Sequence, residues 1–241
     1  MKTLFLIASI FAAISPSFSQ VLIDEVNDSA FISKVQTTLP GKIVNIYKTE
    51  IKGIFEVHTE NRQIVYTDSE AKYYLIGAQL VDFKTKTNFS QERKAKTDVI
   101  KWDQLPNSAA FTVKKGDGTR KVAVFTDPDC PHCKKLEDLL KEVNNVTISY
   151  FLLPIPSLHP NAINKAASVL CSPDKAAAWS NLMEKKIVNK DAPECNTSLD
   201  VIARFASAMQ IRSTPTIINN AGQIIEGAPN KIEQLNEFIS K

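Results

Sequence analysis

Two cysteines separated by two residues, Cys130-Pro131-His132-Cys133, follow almost directly on an apolar run from Lys121 to Thr126. The run predicts a buried strand, and the residues after the second cysteine recur at helical spacing as far as Glu142. The cysteine pair is therefore expected to open a helix. A strand that passes through a short loop into a helix is the basic unit of an α/β layer fold, which limits what the second half of the chain can form.

Further segments extend this α/β prediction over residues 109–241. Apolar or alternating runs predict four more strands, at Phe111 to Val113, Val146 to Leu153, Thr216 to Asn219 and Gln223 to Glu226. About 55 residues of mainly helical character precede the third of these strands, and a last helix is predicted around Ile232 to Ile239. We therefore expect one α/β domain with a helical insert.

The first 129 residues contain no cysteine, and residues 20–83 predict a separate α+β domain. After a cap at Asp28 or Ser29, apolar residues recur at helical spacing until Pro40-Gly41 ends the run: Phe31, Ile32, Val35 and Leu39. Five segments rich in β-branched and aromatic residues then predict an antiparallel meander: Ile43 to Tyr47, Ile54 to Thr59, Gln63 to Thr67, Tyr73 to Ile76 and Gln79 to Phe83.

The core of this small domain is expected to be marginal. A unit of about 60 residues without a disulfide commonly needs another source of stability, and association with a second copy is one such source. We therefore predict a homodimer through residues 20–83. Residues 84–108 are predicted to be a linker with a helix, because Ala95, Val99, Trp102 and Leu105 lie three or four positions apart and Pro106 stops the pattern.

Residues 1–19 have the pattern of a cleaved export signal. Lys2 precedes an apolar run from Leu4 to Ile14, and Ser17 and Ser19 stand at −3 and −1 of a possible cut before Gln20. The run is short of the roughly 20 residues that a membrane anchor needs. Removing the single charge of Lys2 lowers the net charge from +3 to +2, so a nucleic-acid partner is not expected.

The position of Cys130 predicts a reactive thiolate. At a helix N-terminus the sulfur faces the positive end of the helix dipole and unpaired backbone N–H groups, which stabilise its negative charge. Cys133 is then placed to attack a mixed disulfide formed on Cys130 and to release the substrate. His132 is predicted to tune the redox potential towards a more oxidising disulfide, and Pro131 fits the first helical turn.

A Cys-x-x-Cys pair can also bind zinc, attach a haem or form a structural bridge. Half a zinc site is disfavoured because Cys171 and Cys195 do not form a second such pair, and c-type haem attachment would need His where Lys134 stands. A structural disulfide between Cys130 and Cys133 would close too small a ring to contribute much stability. No metal and no cofactor are predicted.

The two remaining cysteines lie 24 positions apart in the predicted insert. A structural disulfide between Cys171 and Cys195 is favoured over a second redox pair, since an even number of cysteines in an exported chain commonly forms such bridges. His58 and His159 have no recognisable partner in the sequence, and no role is assigned to them.

The segments Phe125 to Cys133 and Ser213 to Thr216 together resemble the periplasmic disulfide isomerases of the DsbC and DsbG type. The resemblance extends in layout over nearly the whole mature chain. It implies an N-terminal cystatin-like dimerisation domain, a linker helix and a C-terminal thioredoxin-like domain. It also implies that Pro215 is a cis-proline beside the cysteine pair, that Thr214 offers backbone hydrogen bonds to the substrate, and that two subunits form a V with an apolar cleft.

Two features place the chain within this family. A cysteine pair in the insert, here Cys171 and Cys195, resembles DsbC more than DsbG. The dipeptide Pro131-His132, in contrast, is similar to that of the oxidant DsbA.

The leading hypothesis is a homodimeric periplasmic isomerase and reductase that reshuffles misoxidised exported proteins through Cys130, with a membrane thiol reductase as electron donor. A dithiol oxidase and a holdase chaperone that binds unfolded clients in the dimer cleft are the alternatives.

Overall fold

The computed structural model describes residues 23–189 and 194–241. The predicted export signal, residues 1–19, lies outside the described residues. Across both described ranges, every helix is too short or too polar to span a membrane.

The N-terminal part is a helix packed on a four-stranded meander. Helix α1 (Ser29–Thr38) begins at Asp28, whose carboxylate accepts the backbone N–H of Ala30 at 2.9 Å. The strands follow in the order β1 (Ile43–Lys48), β2 (Ile54–Thr59), β3 (Ile64–Asp68) and β4 (Tyr74–Ile76), each antiparallel to the next. The core between helix and sheet contains the buried residues Val35, Val57 and Val65.

The fifth predicted strand does not join this meander, so that prediction is wrong. Only Val81–Asp82 is extended (β5), and it pairs with Thr87–Asn88 (β6) in a separate two-stranded ribbon. Gly77 follows β4 with a φ of +74°, a left-handed conformation that glycine adopts without steric cost. We attribute the departure of the chain from the sheet to this turn.

A helix lies in the predicted linker, but earlier than its apolar spacing indicated. Helix α2 (Phe89–Thr97) begins at Asn88, whose side chain accepts the N–H of Gln91, and its buried residues include Arg93. Of the predicted stripe only Ala95 lies in this helix. Two short 3₁₀ turns follow, Trp102–Gln104 and Asn107–Ala109, and Leu105 between them packs into the core of the C-terminal part.

The C-terminal part is built on a five-stranded sheet. Its strands are β7 (Phe111–Lys115), β8 (Arg120–Thr126), β9 (Val146–Leu152), β10 (Thr216–Asn219) and β11 (Ile224–Glu226), in the spatial order β11-β10-β8-β9-β7. Strand β8 is parallel to β9, and the other neighbours are antiparallel.

Helices cover both faces of this sheet. They are α3 (Pro131–Glu142), α4 (Ala162–Leu170), α5 (Lys175–Lys185), α6 (Leu199–Ala208) and α7 (Ile232–Ile239). Val122 and Val124 of β8 belong to the core shared with α3 and α7, whereas Ala123 and Phe125 belong to the core shared with α6. Because successive strand residues point to opposite faces, an uninterrupted apolar strand is buried on both sides.

A disulfide ties the helical insert together. Cys171 follows α4 directly and is bonded to Cys195, with an S–S distance of 2.03 Å and a Cα–Cα distance of 5.6 Å. The bond joins the end of α4 to the segment that precedes α6.

Arg62 connects the two parts of the molecule. It lies in the turn between β2 and β3, and its guanidinium donates to the carboxylate of Asp98 at 2.7 and 2.8 Å. A third donor group of Arg62 reaches the carbonyl oxygen of Met209, just beyond α6. This side chain therefore links the N-terminal sheet, the end of α2 and the C-terminal domain.

Candidate active site

Cys130 lies at the N-terminal end of α3, where it is the residue that precedes the first helical position. Pro131 occupies that first position, at which a missing N–H costs nothing. The Cys130 thiol donates to the carbonyl oxygen of Thr214 at 3.3 Å. Although the residue is only 7% exposed, it lines a surface pocket, so its sulfur is placed between that pocket and the Thr214 loop.

Cys133 lies one turn further along α3 and is fully buried. Burial and the nearby Cys130 raise the pKa of its thiol and the backbone N–H of Asp127 lowers it, which together give a value of about 12. The backbone N–H of Asp127 donates to its sulfur at 3.4 Å. Both cysteines of the pair are free thiols, and the two differ sharply in surroundings.

The loop before β10 completes the site from the other side. The peptide bond between Thr214 and Pro215 is cis, and the carbonyl oxygen of Pro215 accepts the N–H of Gly227 at 2.7 Å. Thr216 Oγ1 donates to the carbonyl oxygen of Ser213 at 2.8 Å, which closes the loop on itself. These contacts hold Thr214 against Cys130. The structure therefore brings together the segment that ends at Cys133 and the segment Ser213 to Thr216.

Asp127 and His159 form a hydrogen-bonded pair that the sequence did not reveal. Asp127 is fully buried at the end of β8, and one carboxylate oxygen lies 3.0 Å from Nδ1 of His159. The same oxygen accepts the N–H of Ile155 at 2.7 Å, and the other oxygen accepts the N–H of Asp129 at 2.8 Å. His159, to which no partner was assigned, therefore belongs to the scaffold behind the cysteine pair.

His58 also has a partner, but far along the chain from the cysteines. Its Nε2 lies 2.6 Å from the buried carboxylate of Glu56, which also accepts from Tyr66 at 2.6 Å and from Arg93 at 2.8 Å. This network fastens α2 to the back of the N-terminal sheet. His132, in contrast, is exposed at the second position of α3.

The described residues offer no alternative centre of metal chemistry. Within residues 23–189 and 194–241, no three side chains of the types His, Cys, Asp and Glu gather in a way that could hold a metal ion. The chemistry that this arrangement can perform is thiol–disulfide exchange, with one sulfur accessible from a pocket and a second buried behind it.

Comparisons with known families and proteins agree with this geometry. Residues 12–91 match the family described as "Disulfide bond isomerase protein N-terminal domain", and residues 108–241 match a family described as a thioredoxin-like domain. The crystal structure of a disulfide interchange protein from Neisseria gonorrhoeae is similar, with a TM-score of 0.54 and 34% identity; it covers 56% of this chain and 96% of that one.

Curated relatives point the same way. The probable thiol:disulfide interchange protein DsbC of Bordetella pertussis is 32% identical over 176 residues, which are 73% of this chain and 61% of that relative. The match thus spans less than two thirds of the relative's length. The thiol:disulfide interchange protein DsbC of Escherichia coli K12 is 24% identical over 100% of this chain and 97% of that protein. The chain belongs to the thioredoxin-like family and carries, ahead of its thioredoxin-like domain, the N-terminal domain of the disulfide bond isomerases.

Proposed function

We propose that this chain is a protein-disulfide isomerase and reductase, with Cys130 as the nucleophile and Cys133 as the resolving cysteine. One observation carries the proposal: Cys130 lies at the start of α3 between a pocket and the carbonyl oxygen of Thr214, while Cys133 is buried behind it. The sulfur of Cys130 can be reached from the pocket, whereas burial raises the pKa of the Cys133 thiol and holds it protonated.

In the proposed reaction, the Cys130 thiolate attacks one sulfur of a wrong client disulfide. A mixed disulfide between Cys130 and the client forms, the client S–S bond breaks, and the second client sulfur leaves as a thiolate. That thiolate attacks another disulfide of the same client, and a later client thiolate attacks the mixed disulfide and releases Cys130. The electrons balance within the client, so the cycle needs no external oxidant or reductant.

The high pKa of Cys133 supports isomerisation. Cys133 must lose its proton before it can attack the mixed disulfide, and burial raises its pKa to about 12. A slower attack by Cys133 leaves the client more time to rearrange while it is bound to Cys130. When rearrangement stalls, Cys133 releases the client as a dithiol and forms a disulfide with Cys130, which a membrane thiol reductase would return to the dithiol.

The remaining site residues have supporting roles in this proposal. The Thr214-Pro215 loop offers backbone groups beside Cys130, to which an extended client segment would pair as an added strand. Pro131 and His132 tune the potential of the pair, and the Cys171–Cys195 bond holds the insert. The protein acts in the periplasm of a Gram-negative bacterium after export, on misoxidised exported proteins.

A homodimer through the N-terminal sheet is part of the proposal. The outer edge of β1 is paired with residues 24–26, through bonds such as Val26 N–H to the carbonyl oxygen of Ile46 at 2.8 Å. Strand β4 forms the other edge and carries exposed apolar side chains at Leu75 and Ile76. An exposed apolar edge strand is a surface on which a second sheet can pair.

The test is recovery of activity by a scrambled multi-disulfide protein, with the mature chain supplied fully reduced and without any other thiol. We expect catalytic recovery that is lost in Cys130→Ala. Cys133→Ala should begin the reaction and then accumulate as a mixed disulfide with the client. No recovery, together with rapid oxidation of a reduced client by the disulfide form, would replace this proposal with a dithiol oxidase. Suppressed aggregation of a cysteine-free client by Cys130→Ala, without recovery by the wild type, would indicate a holdase.

A further inference from the structure

A pocket with a volume of about 370 Å³ opens beside Cys130. Leu182 and Met183 form its buried apolar wall, and Cys130 itself lies on its lining. Besides two prolines, the rest of the lining consists of three lysines, Lys134, Lys165 and Lys186, and a single carboxylate, Asp129. A group that occupies this pocket lies next to the proposed nucleophile.

The charges of this lining do not cancel. Lys165 forms an ion pair with Asp129. Lys134 donates from Nζ to the carbonyl oxygen of Met183 at 2.6 Å, which is a neutral acceptor, so its positive charge is retained. Lys186 is exposed at the end of α5. The lining therefore has two more positive charges than negative ones.

Lys186 ends α5 in a left-handed backbone conformation. Its φ of +58° is left-handed, and its N–H donates to the carbonyl oxygen of Leu182 at 3.1 Å in the turn that ends α5. Glycine and asparagine fit such a position with the least strain. Asparagine can therefore replace Lys186 without adding strain to the backbone.

We propose that Lys134 and Lys186 form a cationic subsite that selects disulfides bearing a carboxylate next to the sulfur under attack. The inference rests on the proposed function and names its preferred substrate. Attraction between the subsite and a carboxylate holds the client sulfur close to Cys130 while the Cys130–client bond forms and the client S–S bond breaks. Such a carboxylate is supplied by an acidic residue beside a client cysteine or by glutathione, which has two.

The experiment compares three synthetic peptides, each closed by one disulfide and differing only in the residue beside each cysteine, which is Glu, Gln or Lys. Fully reduced protein reduces each peptide in a single turnover: its dithiol gives two electrons, the peptide leaves as a dithiol, and Cys130 and Cys133 become a disulfide. We expect the rate constant to fall in the order Glu, Gln, Lys, by about fivefold at each step. High salt should reduce the differences, because exposed charges are screened.

Lys186→Asn is the decisive variant because asparagine fits the left-handed backbone. Its rate on the Glu peptide should fall about fivefold relative to its rate on the Gln peptide, and it should melt no lower than the wild type. Lys185→Gln is the matched control, since it removes the same charge from the neighbouring exposed position outside the pocket lining. It should leave the order and size of the differences unchanged.

The outcomes separate this inference from the proposed function. If the reduced protein reduces none of the peptides, the proposed function is wrong. Reduction of all three at one rate, or an equal loss on all three in Lys186→Asn, would overturn the subsite and leave the function standing. Glutathione disulfide is the fourth substrate. If Lys186→Asn reduces only glutathione disulfide more slowly than the wild type does, the subsite serves small disulfides. If it also reduces the Glu peptide more slowly, the subsite serves protein clients.

Discussion

Nδ1 of His159 lies 3.0 Å from the carboxylate of Asp127, and the backbone N–H of the same aspartate donates to the sulfur of Cys133 at 3.4 Å. Asp127 thus links the loop after β9 to the buried cysteine. Its carboxylate also accepts two backbone N–H groups, from Asp129 and Ile155. The turn that leads into Cys130 is therefore held from behind by one side chain.

We expect Asp127→Asn to destabilise the protein by about 2 kcal/mol, because an amide nitrogen cannot accept the N–H that the lost oxygen bound. His159→Gln should cost about 1 kcal/mol, since one hydrogen bond is lost. Asp129→Asn is the matched control; its partly exposed ion pair with Lys165 is worth less than about 1 kcal/mol. Chemical denaturation of the reduced proteins measures all three. Equal stability of Asp127→Asn and Asp129→Asn would contradict this role.

The difference between the two cysteines predicts selective labelling. Cys133 is fully buried, and burial raises the pKa of its thiol to about 12, so this thiol stays protonated at neutral pH. A thiol-alkylating reagent should therefore modify the native reduced protein once, at Cys130. Mass spectrometry of Cys133→Ala should show the same single label, whereas native Cys130→Ala should stay almost unlabelled. Two labels on the folded wild type would show that Cys133 is accessible.

Local patterns predicted the elements that carry the cysteine pair. The apolar run before Cys130 and the helical spacing after Cys133 are both short-range signals, and the structure has β8 and α3 in those places. The meander β1 to β4 was predicted in the same way. Each of these elements is specified by the period of its own side chains, which does not depend on distant residues.

Long-range contacts account for what the sequence did not reveal. His159 lies 32 residues from Asp127 in a loop without periodicity, so nothing near it in sequence identifies its partner. The linker helix shows the same limit. The position of this helix depends on a fully buried arginine, Arg93, whose guanidinium lies 2.8 Å from the carboxylate of Glu56. The buried face of this helix thus carries a charged residue where an apolar stripe is expected. The apolar spacing of Val99 and Trp102 therefore predicted a helix that lies too late in the chain.

Glu137 predicts a pH dependence of stability. Its Oε2 accepts from the Tyr150 hydroxyl at 3.0 Å; burial raises the pKa of the carboxyl from 4.5 to about 7, although Tyr150 and Trp179 stabilise the charged form. The folded state thus binds this proton more tightly than the unfolded state. The resulting stability is fully present below pH 4.5 and is lost as the pH rises through about 7.

The variant Glu137→Gln isolates this effect. The free energy of unfolding of the wild type, relative to that of Glu137→Gln, should fall by about 3 kcal/mol as the pH rises from 4.5 to about 8. Tyr150→Phe removes a hydrogen bond that favours the charged form, so the decrease should move to higher pH. Urea denaturation across this range provides the measurement, and a difference that does not vary with pH would refute the argument.

The exposed edge of the N-terminal sheet predicts where the proposed dimer can be disrupted. Leu75 and Ile76 on β4 are 59% and 76% exposed, at the edge of the meander opposite to β1. A charge at Leu75 would have to be buried between two apolar edges in a dimer, but it remains solvated in a monomer. Leu75→Glu should therefore shift sedimentation velocity from dimer to monomer while the thermal stability of the C-terminal domain is unchanged.

Val44→Glu is the matched control for this variant. Val44 is 58% exposed on β1, and the outer edge of β1 is already paired with residues 24–26, so this variant should stay dimeric. The two should also differ in activity: Leu75→Glu keeps the pocket and the cysteine pair, and should reduce a small peptide disulfide at the wild-type rate. Its recovery of a scrambled protein should fall if a large client binds in a cleft between the two subunits of the proposed dimer. If Leu75→Glu stays dimeric, the dimer interface does not include β4.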